Sequence, residues 1–142
     1  MTGLVLPPIV DAAIRAHGRA AFPYECCGAL LGRDGVVHHA HALPNTTDEG
    51  PRRRFLVRPD DYRGAETRAR ETGLDLIGFY HSHPDHPARP SQYDLDHAWP
   101  SLSYVIVSVI AGEDQLLTSW RLREDRSAFD EQAVTVHFAL QL

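Results

Sequence analysis

Residues Ile9, Ala13, Ile14, His17 and Ala21 recur at intervals of three to five after Pro7-Pro8, the spacing of one face of a helix. Phe22-Pro23 closes that segment. The short apolar run Tyr24 to Gly32 then ends in Arg33-Asp34-Gly35, whose Asp-Gly pair favours a hairpin turn, so a strand and a returning strand at Val36 to Leu43 are expected. Asn45 to Arg53 is polar and contains Gly50-Pro51, which reads as a surface loop before a short strand at Arg54 to Val57. Pro59 opens a second helix with Tyr62, Ala65 and Ala69 on its inner face; Asp60 and Asp61 lie where the helix dipole favours acids, and Gly73 stops it. Leu74 to His81 reads as a central strand. Beyond a short helix and the Trp99-Pro100 break, Tyr104 to Ile110 is nearly all apolar, as in a strand covered on both faces. A turn at Ala111 to Gln115, a half-exposed strand at Leu116 to Arg123 and a last strand at Ala133 to Leu140 complete the pattern.

With 142 residues, 43% of them hydrophobic, and no repeat or linker, the chain is expected to form one α/β domain, residues 1–142. The net charge of −5 argues against nucleic acid as a partner, and Arg52-Arg53-Arg54 reads as a solvated loop beside a strand. The only two cysteines are adjacent, Cys26 and Cys27, where a disulfide would close a strained ring, so a reducing compartment is expected. No stretch approaches the roughly 20 apolar residues that cross a bilayer, and no targeting segment is evident, which makes the cytoplasm the expected location.

Chemistry concentrates at His81-Ser82-His83-Pro84. Side chains two apart on a strand point the same way, so both imidazoles would project together, in a pair suited to Zn²⁺. Asp94 is the candidate carboxylate that would complete a three-ligand site with its fourth position open. Ser91-Gln92-Tyr93-Asp94 is equally a Ser-x-x-acid capping box opening a helix, and each half of the stretch has an ordinary structural explanation on its own. His39 and His41 could share a strand face, but no carboxylate or thiol lies at ligand spacing from them. His86 reads as a loop residue and His97 as a helix residue one turn from Asp94. Glu25 and Cys27 are expected on one face of their strand and Cys26 on the other, with both thiols serving as small buried residues.

Taken together, His81-Ser82-His83-Pro84, a six-residue spacer and Ser91-Gln92-Tyr93-Asp94 resemble the signature of the JAMM (MPN-plus) metalloprotease family, and Pro23 to Gly32 resembles the Glu-bearing first strand of its small bacterial and archaeal members. Asn45, Arg54-Phe55, Pro59-Asp60 and Trp120 extend the likeness along most of the chain. The resemblance implies an α/β sandwich, distantly like cytidine deaminases, with a curved mixed sheet flanked by helices. It also implies one Zn²⁺ per chain on His81, His83 and Asp94, Glu25 as general acid and base, and Ser91 as donor to the oxyanion. Zinc lowers the pKa of a bound water from 15.7 to about 7, which gives a neighbouring carboxylate a proton to take at neutral pH. The implied substrate is the amide bond after the C-terminal Gly-Gly of a ubiquitin-like or β-grasp sulfur-carrier protein, in sulfur or cysteine metabolism. A non-catalytic scaffold of the same fold is the alternative. A zinc deaminase is disfavoured because the chain has no Pro-Cys-x-x-Cys pair, and the acidic charge disfavours the family's DNA-repair branch.

Overall fold

The computed structural model describes residues 3–45 and 57–137. In chain order these form β1 (Leu4–Leu6), α1 (Pro8–Ala21), β2 (Cys27–Arg33), β3 (Val36–Leu43), α2 (Pro59–Thr72), β4 (Asp75–Pro84), α3 (Gln92–His97), β5 (Ser103–Ile110), β6 (Glu113–Leu122), β7 (Phe129–Gln132) and β8 (Val134–Val136). Among the described residues the strands join in one sheet, β7-β6-β5-β4-β2-β3-β1-β8. The β4–β5, β1–β3 and β1–β8 pairs are parallel and the rest antiparallel. This curved mixed sheet with a helix packed on each face is the architecture that the resemblance implies.

Strand alternation sorts the core into two layers. Cys27, Ala29 and Leu31 of β2, Phe79 of β4 and Tyr104 of β5 face α2, where Ala65 and Ala69 meet them. Leu30, Tyr80, Val105 and Val107 face α1, together with Cys26, Val10 and Ile14. Two glycines permit the closest approaches. A Cβ on Gly18 would come within 3.1 Å of Val109 and 3.6 Å of the Ser82 Cβ, so α1 lies directly on β4 and β5. Tyr80 crosses Gly28, its opposite number on β2, so closely that a Cβ there would fall 2.1 Å from the ring. The Tyr80 hydroxyl reaches His17 Nδ1 of α1 at 2.7 Å.

Several expectations hold in detail. The hairpin turns at Asp34-Gly35, both with positive φ, and β3 spans Val36–Leu43. Helix α2 begins at Pro59 and ends at Gly73, whose φ of 72° suits the left-handed cap. Others need correction. The inner face of α1 is Val10, Ile14 and Gly18, while Ile9 is 79% exposed. The close seat of Gly18 on the sheet sets the rotation of this helix, outweighing the apolar count around it. Strand β6 starts at Glu113, because Ala111 and Gly112, with φ of 51° and 85°, complete a tighter turn than expected. Of the expected last strand at Ala133 to Leu140, the described residues form β8 (Val134–Val136) beside β1 at one sheet edge, and 138–140 lie outside the described residues; β7 (Phe129–Gln132), at the other edge, is additional to the expected elements. Most of the expected loop at Asn45–Arg53 and strand at Arg54–Val57 lies outside the described residues.

Both cysteines are free and buried, on opposite faces as expected. Burial pushes the Cys26 thiol up to about 11 and the Cys27 thiol up to about 12. Only thiolates alkylate readily, so native protein at pH 8 is expected to resist iodoacetamide at both positions, and both should react once urea unfolds the chain; peptide mass mapping reads this directly. The same shift fixes a sign: the folded state holds these protons more tightly than the unfolded chain. Its contribution to stability is whole below the ordinary thiol pKa of 9.0 and is lost as pH rises towards the folded values. Gly28→Ala is expected to cost about 3 kcal/mol in urea unfolding, because Tyr80 must give way. Gly64→Ala, mid-helix with nothing within 4 Å of the added Cβ, should be neutral or stabilising by up to about 1 kcal/mol.

Candidate metal centre

Strand β4 runs on to Pro84, hydrogen-bonded to β2 on one side and β5 on the other. His81 and His83 therefore stay in extended backbone and follow Phe79 on the α2 face. Beneath them lies an aromatic layer in which Phe79 packs against Tyr62, Trp99 and Tyr104 at ring separations of 5.7, 6.0 and 6.2 Å. The imidazoles converge so that His81 Nε2 is 3.0 Å from His83 Nε2. Asp94 Oδ2 lies 3.3 Å from the first and 3.2 Å from the second. All three residues are buried.

Asp94 arrives from α3, and the capping box read from the sequence is what aims it. The Ser91 hydroxyl accepts from the Asp94 N–H at 3.1 Å, and Asp94 Oδ2 accepts from the Ser91 N–H at 2.9 Å. The cap and the candidate ligand are thus one arrangement. A carboxylate oxygen has about two lone-pair directions; one serves the cap and the other faces the imidazoles.

The state of the ring nitrogens follows from their partners. His83 Nδ1 is 2.8 Å from the Pro87 carbonyl, which can only accept, so Nδ1 carries a proton and Nε2 is the ring nitrogen turned inward. Burial lowers the His81 pKa against the opposing pull of Asp94, which favours neutral imidazole there. Burial alone would raise the Asp94 carboxyl; positive charge and hydrogen bonds on the imidazole side, His81 foremost, more than reverse this and hold it well below the usual carboxylate range, so this carboxylate is matched to a proton or cation held between it and the rings. Nitrogen and oxygen donor atoms meet there within 3.0–3.3 Å. Ligands at the usual zinc distances in a tetrahedron stand about 3.3 Å apart, so both the donor types and their spacing fit this ion.

Glu25 reaches the same place from the chain just before β2. Its carboxylate and the two imidazoles have ligand atoms all within 4.8 Å of one another, and it is 92% buried by its 8% exposure. Either carboxylate is thus near the histidines: Asp94 Oδ2 lies within 3.3 Å of both rings, and Glu25 with His81 and His83 makes a second possible donor set. Ser82, the residue between the histidines, holds Glu25 in place: its buried hydroxyl accepts from the Cys26 N–H at 2.9 Å, and its own N–H donates to the Cys26 carbonyl at 3.2 Å. Asn45 adds a bond from Nδ2 to the Glu25 carbonyl at 3.1 Å. A cleft of about 650 Å³ opens over the centre, lined by Glu25, His83, Ser91, Asp94 and Arg89 among others. The Ser91 hydroxyl, although it caps α3 as an acceptor, keeps its own proton to donate into this cleft.

The structure thus brings together all the residues singled out in the sequence for the centre: Glu25, His81, His83, Ser91 and Asp94. Of the other histidines the sequence singled out, His86 shares the wall of this cleft, and His39, His41 and His97 do not line it. His39 and His41 stand 6.2 Å apart, ring to ring, on β3; His86 is exposed on its loop, and exposed His97 stacks on Tyr93 while its Nδ1 meets the Tyr93 carbonyl. Sequence reasoning missed the supports, namely Ser82 on Cys26, and Ser108 and Thr118, whose hydroxyls donate to the His86 and Ala88 carbonyls on either side of Pro87. Ser82 had a visible signal, a hydroxyl facing away from the two imidazoles into an otherwise apolar layer. Ser82→Ala should strand the buried Cys26 N–H. A stability loss of about 1–3 kcal/mol in urea unfolding is expected, with faster hydrogen exchange at the Cys26 amide and Ser82→Thr closer to wild type than Ser82→Ala.

Comparison with known proteins agrees with this geometry. A family described as prokaryotic homologues of the JAB domain matches residues 7–123. A desampylase of Haloferax volcanii is 36% identical over 117 residues, covering 76% of this chain and 84% of the relative. A CysO-cysteine peptidase of Mycobacterium tuberculosis is 32% identical over 136 residues, covering 94% of this chain and 90% of the relative. A solution structure of a protein from Desulfitobacterium hafniense superposes with a TM-score of 0.82 at 33% identity, over 97% of this chain and 95% of that one. The chain belongs to the family of prokaryotic JAB-domain homologues.

Proposed function

We propose that the protein is a zinc-dependent hydrolase that cleaves the amide bond after the C-terminal Gly-Gly of a ubiquitin-like or β-grasp sulfur-carrier protein. The observation that carries this reading is the meeting of His81 Nε2, His83 Nε2 and Asp94 Oδ2 within 3.0–3.3 Å on the wall of a cleft that also holds Glu25. His81, His83 and Asp94 would hold one Zn²⁺. When bound, zinc supplies the Lewis acidity that acidifies a water and polarises a carbonyl. Glu25 takes the proton from the attacking water and returns it to the departing amine, so one carboxylate serves both halves of the hydrolysis. The Ser91 hydroxyl donates to the developing oxyanion, from a position already fixed by the cap it makes with Asp94.

The substrate class rests on the resemblance and on relatives whose names are those of enzymes acting on small modifier or carrier proteins. The two buried free thiols agree with a reducing compartment, and we assign the protein to the cytoplasm. Among the described residues no helix is long and apolar enough to cross a membrane. The scaffold alternative leaves a buried set of inward-facing donor atoms, and an acid beside it, without a purpose.

Purified protein is expected to carry one zinc per chain by atomic emission and to cleave a carrier extended beyond Gly-Gly, followed by intact mass. Chelation should abolish turnover and added zinc restore it. Glu25→Gln should keep the zinc and lose roughly 10²- to 10⁴-fold in kcat, whereas Asp94→Asn and His83→Ala should lose the zinc itself. Turnover that survives chelation, or that Glu25→Gln leaves intact, would overturn the mechanism.

A further inference from the structure

The Pro87 oxygen that accepts from His83 Nδ1 at 2.8 Å is held by a run of bonds that leaves the centre and crosses to β6. The Arg89 N–H donates to the same oxygen at 2.9 Å and closes a γ-turn about Ala88. With the imidazole on one lone pair and the amide on the other, that carbonyl has no further capacity. One bond closes such a turn, so its geometry relies on what holds it from outside. The holder is Thr118, whose buried hydroxyl donates to the Ala88 carbonyl at 2.7 Å. The Ala88 carbonyl and the Arg89 N–H belong to one planar peptide unit, so fixing the first aims the second at Pro87.

The Thr118 hydroxyl is fixed in its turn. It accepts from the Trp120 indole N–H at 2.8 Å, two residues on along the same face of β6. An indole N–H only donates, so the threonine proton cannot turn towards it and goes to Ala88. The branched Cβ of Thr118 narrows its choice of rotamer as well. The Ser108 hydroxyl, which donates to the His86 carbonyl at 2.6 Å, has no such second bond among the described residues. From the half-buried indole of Trp120 to the ring of His83 the run is unbroken, and neither Trp120 nor Thr118 lines the cleft.

We propose that Thr118, oriented by Trp120, is a positioning residue for the metal ligand His83: the pair sets the Pro87 carbonyl on which the imidazole is aligned, and so governs how tightly the centre holds its ion. This rests on the reading of His81, His83 and Asp94 as a zinc site. Asp94 owes its aim to the cap with Ser91, whereas the outer nitrogen of His83 is held, among the described residues, by the Pro87 carbonyl alone. A carbonyl free to drift would let the ring turn and carry Nε2 away from the point that His81 and Asp94 face. With the turn held by Thr118, the ring is aligned before the ion arrives, and less ordering is left for binding to supply.

The test measures zinc affinity of the purified full-length protein by competition with a chromophoric chelator, and the geometry of the centre by visible absorption of its cobalt(II) form. Urea unfolding of the metal-free protein reads stability separately. Thr118→Val keeps the shape and removes the hydroxyl; it should weaken zinc by about ten- to a hundredfold and alter the cobalt spectrum, while Thr118→Ser retains most of the affinity. Trp120→Phe removes the indole N–H but leaves the donor to Ala88, and a smaller loss of about fivefold is expected. Added to Thr118→Val, Trp120→Phe should cost no further affinity, because it acts only through that hydroxyl. Wild-type zinc affinity in Thr118→Val, with only the urea midpoint lowered, would overturn the proposal by leaving the hydroxyl a purely structural role. If Thr118→Val does not fold, Trp120→Phe decides: affinity and cobalt spectrum identical to wild type would overturn the proposal equally. A wild-type protein that takes up no zinc would remove the metal-site reading itself, and this inference with it.

Discussion

The pairing of β2 with β4 is the constraint on which the centre depends. It sets Cys27 opposite His81 and Gly28 opposite Tyr80, and so brings Glu25 to histidines that lie far along the chain. Strand side chains alternate, so a slip of one residue would send His81 and His83 to the α1 face and bring Tyr80 and Ser82 to the cleft. What prevents the slip lies on the opposite face. Tyr80 fits over Gly28 of β2, which has no side chain to block the ring, and its hydroxyl is held by His17 of α1. Ser82 completes the lock with its two bonds to Cys26. The register is fixed on one side of the sheet by packing, and used on the other for chemistry.

This division explains what could be read from the sequence. The histidine pair, the cap at Ser91 and the ends of β3 and α2 are local: each depends on residues within a few positions, and each was legible as a pattern. Glu25 was not legible in that way. An acid before an apolar strand is ordinary, and only the resemblance singled it out, because its role is created by a long-range strand pairing. The rotation of α1 was misread for the same reason. Ile9 belongs to an apolar periodicity, but the bare surface of Gly18 lets the helix settle on Val107, Val109 and Ser82 and turns Ile9 outwards. Strand β1, three residues long, has too little pattern to announce itself, and it holds its place as the parallel neighbour of β3 on one side and β8 on the other.

The short helix α3 shows how little of the centre is self-supporting. Six residues are too few to form a helix in isolation, since nucleation costs more than one turn of bonds returns. The reciprocal cap at its start and the stacking of His97 on Tyr93 contribute to holding it, and the cap uses the same Asp94 oxygen that faces the imidazoles. Weakening the cap would therefore misdirect a candidate ligand as well as fray a helix, and the two effects cannot be separated by a substitution at Asp94. Ser91→Ala separates them in part, because it removes the hydroxyl while leaving the backbone N–H that Asp94 Oδ2 accepts.

The same economy runs through the loop that follows β4. A hydrolytic centre gains most from groups already aimed before the substrate arrives, because dipoles that need not reorganise lower the barrier more than mobile ones. Here the proton on His83 Nδ1 is fixed by a carbonyl, and the peptide units on either side of that carbonyl are fixed by hydroxyls from two further strands, Ser108 and Thr118. The orientation of one imidazole thus depends on β4, β5 and β6 together. Two histidines on an isolated strand could bind a metal in many geometries. Set in this sheet, with backbone carbonyls consumed and donor atoms turned inward, they have one, and the free capacity left at the cleft wall belongs to the side chains that meet the substrate.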